Sequence, residues 1–474
     1  MNDHCHFITL SEEPLSIDQA VLSLASTVNQ YCDKHPLPDH RERAKLVTFR
    51  QPLQPTELPE WLCRQTVYPK LFWMNREKDF SVAGIGIADT IRAEGSGSNE
   101  ASFEKFALSV AGKDPDARYF GGFRFNNQEE QEPIWNEFSS FSFILPLVQL
   151  TLENGTFAIS CHLWLECGDE LQKKISAITD MLKRVITDTD CSAIKIPELL
   201  TLTYNPDEKN WIEQCQKALL TFEAGDMEKI MLARKTTLEF SRSFSPLLFL
   251  LQYPYPQNAI YRFYFEPAEN HAFFSFTPER LYRRDGNMLL TEALAGTCSK
   301  ESTNGSDHHA SEALLNSEKD IREHNFVREM ISNELSKICS NIDMEKEVKV
   351  LQLNRLAHLY TRCAARLKPE FQSDSAVLQL LHPTPAVGGV PTAQAMQKIM
   401  ELEPFSRGWY AAPVGWVSRD AAEFSVAIRS ALVHDRFAYL YSGAGLVKGS
   451  DPFSEWEEVD QKIGDILFIT RQEA

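Results

Sequence analysis

The sequence is short of positive charge. Its 48 Lys and Arg face 66 Asp and Glu, for a formal net charge of −18 and a pI near 5.2. No basic patch or stripe stands out, which excludes the electrostatic footprint of a nucleic-acid binder. An anionic substrate is not excluded, because a local pocket of Arg, Lys and a bound cation can sit in an acidic protein. Long apolar runs are missing too, so no segment has the length to span a bilayer. The opening MNDHCHFITLSEEPLS has neither the basic start and apolar centre of a secretory leader nor the Arg-rich, acid-poor look of an organelle address. Ten cysteines occur, at 5, 32, 63, 161, 167, 191, 215, 298, 339 and 363, with no CxxC pair among them. Such spacing matches neither a zinc ribbon nor a disulfide framework, and reduced thiols packing as small hydrophobes are expected. A cytoplasmic protein follows, with no nucleic acid and no membrane among its partners. Short-period repeats and low-complexity tracts are absent.

What the chain has is enough apolar material for a sizeable core: 43% hydrophobic and 11% aromatic residues over 474 positions. That length suits two or three domains or one large body. The spacing predicts a helix over 15–35, then strands at KLVTFRQPL, LFWMNR and FSVAGIGIA, and a helix at ASFEKFALSVAG. ARYFGGFRFN sets aromatics around Gly121-Gly122, which predicts a strand with a bulge or a close backbone approach. FSFILPLVQLTLE and TFAISCHLWLE read as two strands of a hairpin turned by Asn154-Gly155, and ELQKKISAITDMLKRVI as an amphipathic helix. Residues 187–205 are polar and contain Pro197. They divide an N-terminal α+β region, 1–190, integrated with the body, from a C-terminal one, 205–474. Beyond them HAFFSFTPERLYRR, NMLLTEALAGT, AHLYTRCAARL, GWYAAPVGWV, AAEFSVAIRSALV and RFAYLYSGAGLV are expected as strands, with a polar loop over 299–307. Strands joined directly to strands, with helices grouped between, predict an α+β fold of large antiparallel sheets with helices packed outside.

Two acidic helices are the strongest candidates for chemistry. In residues 318–334, Ile321, Phe326, Val327, Met330 and Ile331 recur at helical spacing, and Asp320 and Glu323 share one face. In SDPFSEWEEVDQKIGDILFIT, Ser450 is placed to cap, Pro452 fits the first turn, and Glu455, Glu458 and Lys462 form one stripe. Converging, the two pairs of carboxylates would suit Mg²⁺, a hard cation that takes a few carboxylates and keeps positions for a substrate anion. Taken singly, each pair also fits an ordinary solvated face. Lys229 opens the strand KIMLAR; a desolvated lysine there would be a general base, and a snorkelling one would be ordinary. Glu279, in FTPERL, is placed to be a protonated general acid or an exposed turn residue. Gly296 and Thr297 in ALAGT and Gly445 in SGAGLV let a ligand approach the backbone. Arg429 in VAIRSAL needs an anionic partner if buried. Tyr410 offers a hydroxyl or simply packs, and His382 in LHPTPAVGG orients a substrate hydroxyl or is structural.

In that order, KIMLAR, FTPERL, ALAGT, EKDIREH, LHPTPAVGG, RGWYAAPVGWV, FSVAIRSAL and SGAGLVKGSDPFSEWEE resemble the chorismate-utilising enzymes. These include anthranilate, aminodeoxychorismate, salicylate and isochorismate synthases. The resemblance covers roughly 205–474, which it marks as a chorismate-binding catalytic domain. YPKLFWMNREKDFSVAGIGIA and YFGGFRF are similar, more loosely, to the menaquinone-type isochorismate synthases. It implies Lys229 as the base that activates water, Glu279 as the acid for the departing hydroxyl, and Glu323, Glu455, Asp320 and Glu458 around Mg²⁺. Gly296, Thr297, Tyr410, Arg429, Gly445 and Lys462 match positions that contact substrate carboxylates. The aminating members lack the lysine, so Lys229 implies water as nucleophile and isochorismate as product. A salicylate synthase, which also eliminates pyruvate, and a chorismate-binding module without turnover are the alternatives. Cys298-Ser299-Lys300 and YAAP depart from the family's usual AGT-basic and YAGP patterns. The expected partner is the small molecule chorismate, bound by a monomer or homodimer.

Overall fold

The structure, a computed structural model, describes residues 5–32, 45–95, 97–166, 170–191, 195–254, 259–300, 307–353 and 356–471. Cys167 and most of the polar loop expected over 299–307 lie outside the described residues. Two large sheets organise the chain. In the larger, of thirteen strands, Lys70–Met74, Tyr261–Ala268, His271–Thr277, Ser430–His434, Phe437–Val447 and Lys229–Phe240 lie side by side in that order. In the smaller, of ten strands, the order is Leu356–Leu367, Met288–Ser299, Arg280–Asp285, Ala421–Val426, Pro413–Val417, Tyr119–Phe123 and Phe141–Leu145. Among the described residues every strand-to-strand ladder is antiparallel except Cys5–Thr9 with Lys45–Leu53. Strands on either side of residues 187–205 pair directly: Tyr261–Ala268 with Lys70–Met74, and Pro413–Val417 with Tyr119–Phe123.

One apolar cluster is shared by both sheets. Trp73, Phe263 and Phe273 come from the larger, and Phe123, Phe143 and Phe424 from the smaller. Trp409 touches both: its ring lies 5.5 Å from that of Phe265 and sits where a side chain on Gly122 would be. The close approach expected at Gly121-Gly122 is thus the seat of a tryptophan. Helices Ile17–Cys32, Leu58–Arg64 and Leu171–Leu182 cover the other face of the larger sheet through a second cluster.

Three expected strands are broken, each where the chain changes sheets. FSFILPLVQLTLE stops at Leu145 in the smaller sheet and restarts at Val148 in the larger. HAFFSFTPERLYRR leaves the larger sheet at Thr277 and joins the smaller at Arg280. AAEFSVAIRSALV makes the reverse move between Val426 and Ser430. The strand expected at GWYAAPVGWV begins only at Pro413, leaving Tyr410 in the turn before it. The C-terminal helix, Pro452–Arg471, is capped by Asp451 rather than Ser450: the Ser454 N–H donates to Asp451 Oδ2 at 2.9 Å, while Ser450 Oγ accepts from Val447 N–H.

Adding a Cβ at Gly122 would place it 2.9 Å from the Trp409 ring and 2.8 Å from Val414 Cγ1. Gly122→Ala should therefore destabilise the chain by about 1–3 kcal/mol, the usual cost of overpacking a filled core. Gly112→Ala is the control, since its Cβ would meet only an ordinary contact at 3.7 Å. Denaturant melts of the two variants check this, and equal stabilities would show that Trp409 can shift freely.

Candidate active site

The chain crossings put chemistry between the sheets. Glu279 occupies the crossing between Thr277 and Arg280, and Arg429 that between Val426 and Ser430, at φ 50°. The two crossings hold each other: Val426 N–H donates to Glu279 O, and Phe276 N–H to Arg429 O, both at 3.1 Å. Beside them lies a cavity of about 180 Å³. All thirteen residues singled out from the sequence line it, except His382.

Glu279 is buried, with Thr384 Oγ1 donating to its Oε1 at 3.4 Å. Burial, with the Glu292 carboxylate adding to it, pushes its carboxyl up to about 8. The crossing is clamped from the N-terminal region. Arg76 donates to Pro278 O at 3.0 Å and grips both oxygens of Glu292 at 2.7 Å, while Glu292 also accepts the Arg280 N–H. Lys229 stands on the facing wall at the start of its strand, only 8% exposed, and its Nζ donates to Glu323 Oε1 at 2.7 Å. Gly445, on the neighbouring strand, leaves the space that Lys229 fills: a Cβ there would lie 3.3 Å from Lys229 Cε.

Asp320 and Glu323 come from the first turns of helix Glu318–Ile338, which Ser317 caps by accepting from Asp320 N–H at 3.2 Å. Burial pushes the Glu323 carboxyl up, but the Lys229 ammonium outweighs it and holds the group below the usual range. Glu455 and Glu458 come from the C-terminal helix. Burial and the neighbouring Glu458 push Glu455 up to about 6. Lys462 bridges this side, donating to Glu458 Oε1 at 2.7 Å and Gly443 O at 2.9 Å. Gly296 adopts φ +80° and faces Asp320, whose Cβ would lie 3.2 Å from a Cβ at Gly296; both the backbone and the space require glycine. Tyr410 lays its hydroxyl against Gly443 and stacks on Tyr441, with ring centroids 5.5 Å apart.

The donor set fits a hard divalent ion: four carboxylates on two helices line one cavity, and burial together with the Glu458 charge pushes Glu455 up. Among the described residues, the three groups whose ligand atoms already lie within 4.8 Å of one another are elsewhere, the exposed His308, His309 and Glu312. At the cavity, lysines instead hold one carboxylate of each pair.

His382 stands outside this cavity, and its surroundings favour the structural one of its two expected roles. Its Nε2 faces Phe125 O at 3.2 Å, its ring packs against Phe103 and Phe125, and burial drives its pKa down to about 4. The loop reaches the cavity through Ala386 and Val387 instead, with Thr384 on Glu279. Sequence reasoning missed His358, a lone histidine in the strand Leu356–Leu367. Arg429 Nη2 donates to its Nε2 at 2.9 Å, so the proton must sit on Nδ1, which lies 3.1 Å from Thr297 Oγ1. Burial, with Arg429 and Lys462 nearby, keeps this imidazole neutral by lowering its pKa well below the ordinary value. Also missed was the pair Glu403–Arg407. Glu403 accepts the Ala233 N–H, and Arg407 donates to Met231 O and Val387 O, each at 2.8 Å. These side chains finish the open edge of the strand that carries Lys229.

The fold and this cavity define a chorismate-binding enzyme. Residues 29–470 match the family described as "Chorismate binding enzyme", and the chain belongs to it. It is 33% identical over 405 residues to the chloroplastic isochorismate synthase of Catharanthus roseus, covering 83% of this chain and 69% of that protein. It is 28% identical over 459 residues to isochorismate synthase MenF of Haemophilus influenzae, covering 96% and 97%. Among solved structures, the menaquinone-specific isochorismate synthase MenF of Escherichia coli superposes with a TM-score of 0.84 at 25% identity, covering 96% of this chain and 100% of that one.

The Glu279 proton has a stability consequence. The folded chain keeps it up to about pH 8, whereas the unfolded chain releases it near 4.5. Its contribution is therefore full below the lower value and is lost as pH rises through the upper one. Relative to Glu279→Gln, the wild type should lose thermal stability across that window. Calorimetric melts at stepped pH check it, and parallel profiles would mean that Glu279 is solvated.

Proposed function

We propose that the chain is an isochorismate synthase, converting chorismate to isochorismate by adding water at C2 and losing the C4 hydroxyl, for menaquinone biosynthesis. The observation that carries this reading is a buried acid, Glu279, whose carboxyl is pushed up to about 8, lining one cavity with the buried side chain of Lys229. Lys229 takes a proton from water as its oxygen bonds to C2. The ring double bonds shift, and the C4–O bond breaks as Glu279 delivers its proton to the leaving oxygen. An acid and a base on opposite walls let both transfers occur on one bound ring. Arg429, oriented by neutral His358, and Lys462 supply positive charge for the substrate carboxylates.

Asp320, Glu323, Glu455 and Glu458 are the residues that would hold Mg²⁺, which when bound would neutralise a substrate carboxylate. Glu323, which pairs with Lys229 at 2.7 Å, is also one of the four carboxylates that would hold the cation. A cytoplasmic setting is supported by Cys63, Cys161, Cys191, Cys215, Cys298, Cys339 and Cys363, which are thiols and form no disulfide.

Lys229→Ala and Glu279→Gln should each lower kcat by about 10²–10⁴-fold while leaving the fold intact, as measured by chromatography of products and circular dichroism. Isochorismate without pyruvate is the expected product; salicylate with pyruvate would make the chain a salicylate synthase, and unchanged chorismate a binding module. Chelation should remove turnover and Mg²⁺ restore it. In Lys229→Ala, calorimetry should show Mg²⁺ tightening chorismate binding by roughly 5–150-fold, and Glu323→Gln should shrink that coupling. Equal affinity with and without the ion would refute a shared site.

A further inference from the structure

A second cavity, of about 880 Å³, adjoins the first and shares Lys229, Lys319, Glu323 and Val447 with it. Its charge is opposite to that of the molecule. Lys229, Lys319, Arg322 and Lys448 line it against two carboxylates, Glu228 and Glu323, and Glu323 is already paired with Lys229. Among the described residues Lys319, Arg322 and Lys448 form no ion pair, and all three are exposed. Cations on an acidic surface ordinarily find carboxylates; here a group of them stays unpaired beside one opening, in a chain of net charge −18. Phe326, 36% exposed, adds an apolar wall.

The net charge of the chain repels a dianion, and a local positive opening reverses the field where it matters. We infer that this outer cavity is a receiving site for a small cyclic dicarboxylate, drawn in by Lys319, Arg322 and Lys448 and passed between Lys229 and Lys319 to the inner cavity. This rests on the chorismate reading and adds to it a route and an electrostatic selection. The apolar wall suits the ring of such a molecule, and the cations its carboxylates. The same charges oppose a divalent cation, so dianion and cation should respond oppositely to their removal.

The test is the full-length double variant Arg322→Glu/Lys448→Glu, assayed with chorismate at fixed Mg²⁺. Neither residue lines the inner cavity. At about 0.01 M ionic strength, where the Debye length is about 30 Å, kcat/KM should fall by about 10-fold with kcat nearly unchanged. At about 1 M, where the screening length is about 3 Å, variant and wild type should converge. The Mg²⁺ concentration for half-maximal rate should not rise, whereas a misfolded variant would need more of both ligands. Arg322→Lys/Lys448→Arg should behave as wild type. Wild-type kcat/KM in the reversed variant at low salt, or a loss that salt does not relieve, overturns the receiving site while leaving the enzyme assignment standing. A wild type that fails to turn chorismate over overturns both.

Discussion

The structure depends on two chain crossings that hydrogen-bond to each other. At Pro278–Glu279 and at residues 427–429 the backbone leaves one sheet for the other, and each crossing satisfies an N–H of the strand next to the other. A crossing between sheets is where backbone groups lose their ladder partners, so it is costly unless they find new ones. Pairing the crossings meets that need and fixes Glu279 and Arg429 at the seam. The apolar cluster that joins the sheets, with Trp409 lodged over Gly122, keeps the seam closed.

Charge is buried here only in company. Arg76, Glu292, Arg280 and Glu423 form a network behind Glu279, within which the Tyr261 hydroxyl donates to Glu423 at 2.9 Å. Breaking one member would strand its partner's charge in a dry interior, a far larger cost than the pair's net gain. Among the described residues Glu279 has no such cationic partner at contact distance; its carboxyl accepts only a long hydrogen bond from Thr384 Oγ1, at 3.4 Å. It is the member of this region left to hold a proton rather than a charge. Because Arg76 belongs to the first 190 residues and grips Pro278 O, the N-terminal region acts on the acid through the backbone.

The opposite wall follows the same economy of partners. The strand that begins at Lys229 has one full neighbour, Phe437–Val447, and on its other side only Gly389–Val390 before Leu199–Asn205 takes over. In the gap, Glu403 and Arg407 side chains do what a strand would do, and they reach Val387 of the cavity wall as well. Lys229 thus projects from a strand whose both edges are satisfied.

Much of this was legible in the residues. Helical spacing put Asp320 with Glu323, and Glu455 with Glu458 and Lys462, on single faces, because a helix repeats often enough for local order to dictate which side chains are neighbours. The family motifs named the strands that carry Lys229, Gly296 and Gly445. The sheet crossings were not legible: both sheets bury a face in one apolar core, so HAFFSFTPERLYRR keeps a strand's pattern while its halves belong to different sheets. Nor was His358 legible, since a histidine in an apolar strand carries no sign that Arg429 waits across the seam. For His382, before a proline in a loop, the sequence left a substrate contact and a structural role both open; its ring packs against Phe103 and Phe125, contacts between distant residues that the loop's local pattern does not encode. By itself the sequence determined the periodic faces, the acidic pairs and the glycines. Only the tertiary structure decided which sheet each strand joins and which charges meet, because those follow from contacts between residues far apart in the chain, on which local periodicity has no bearing.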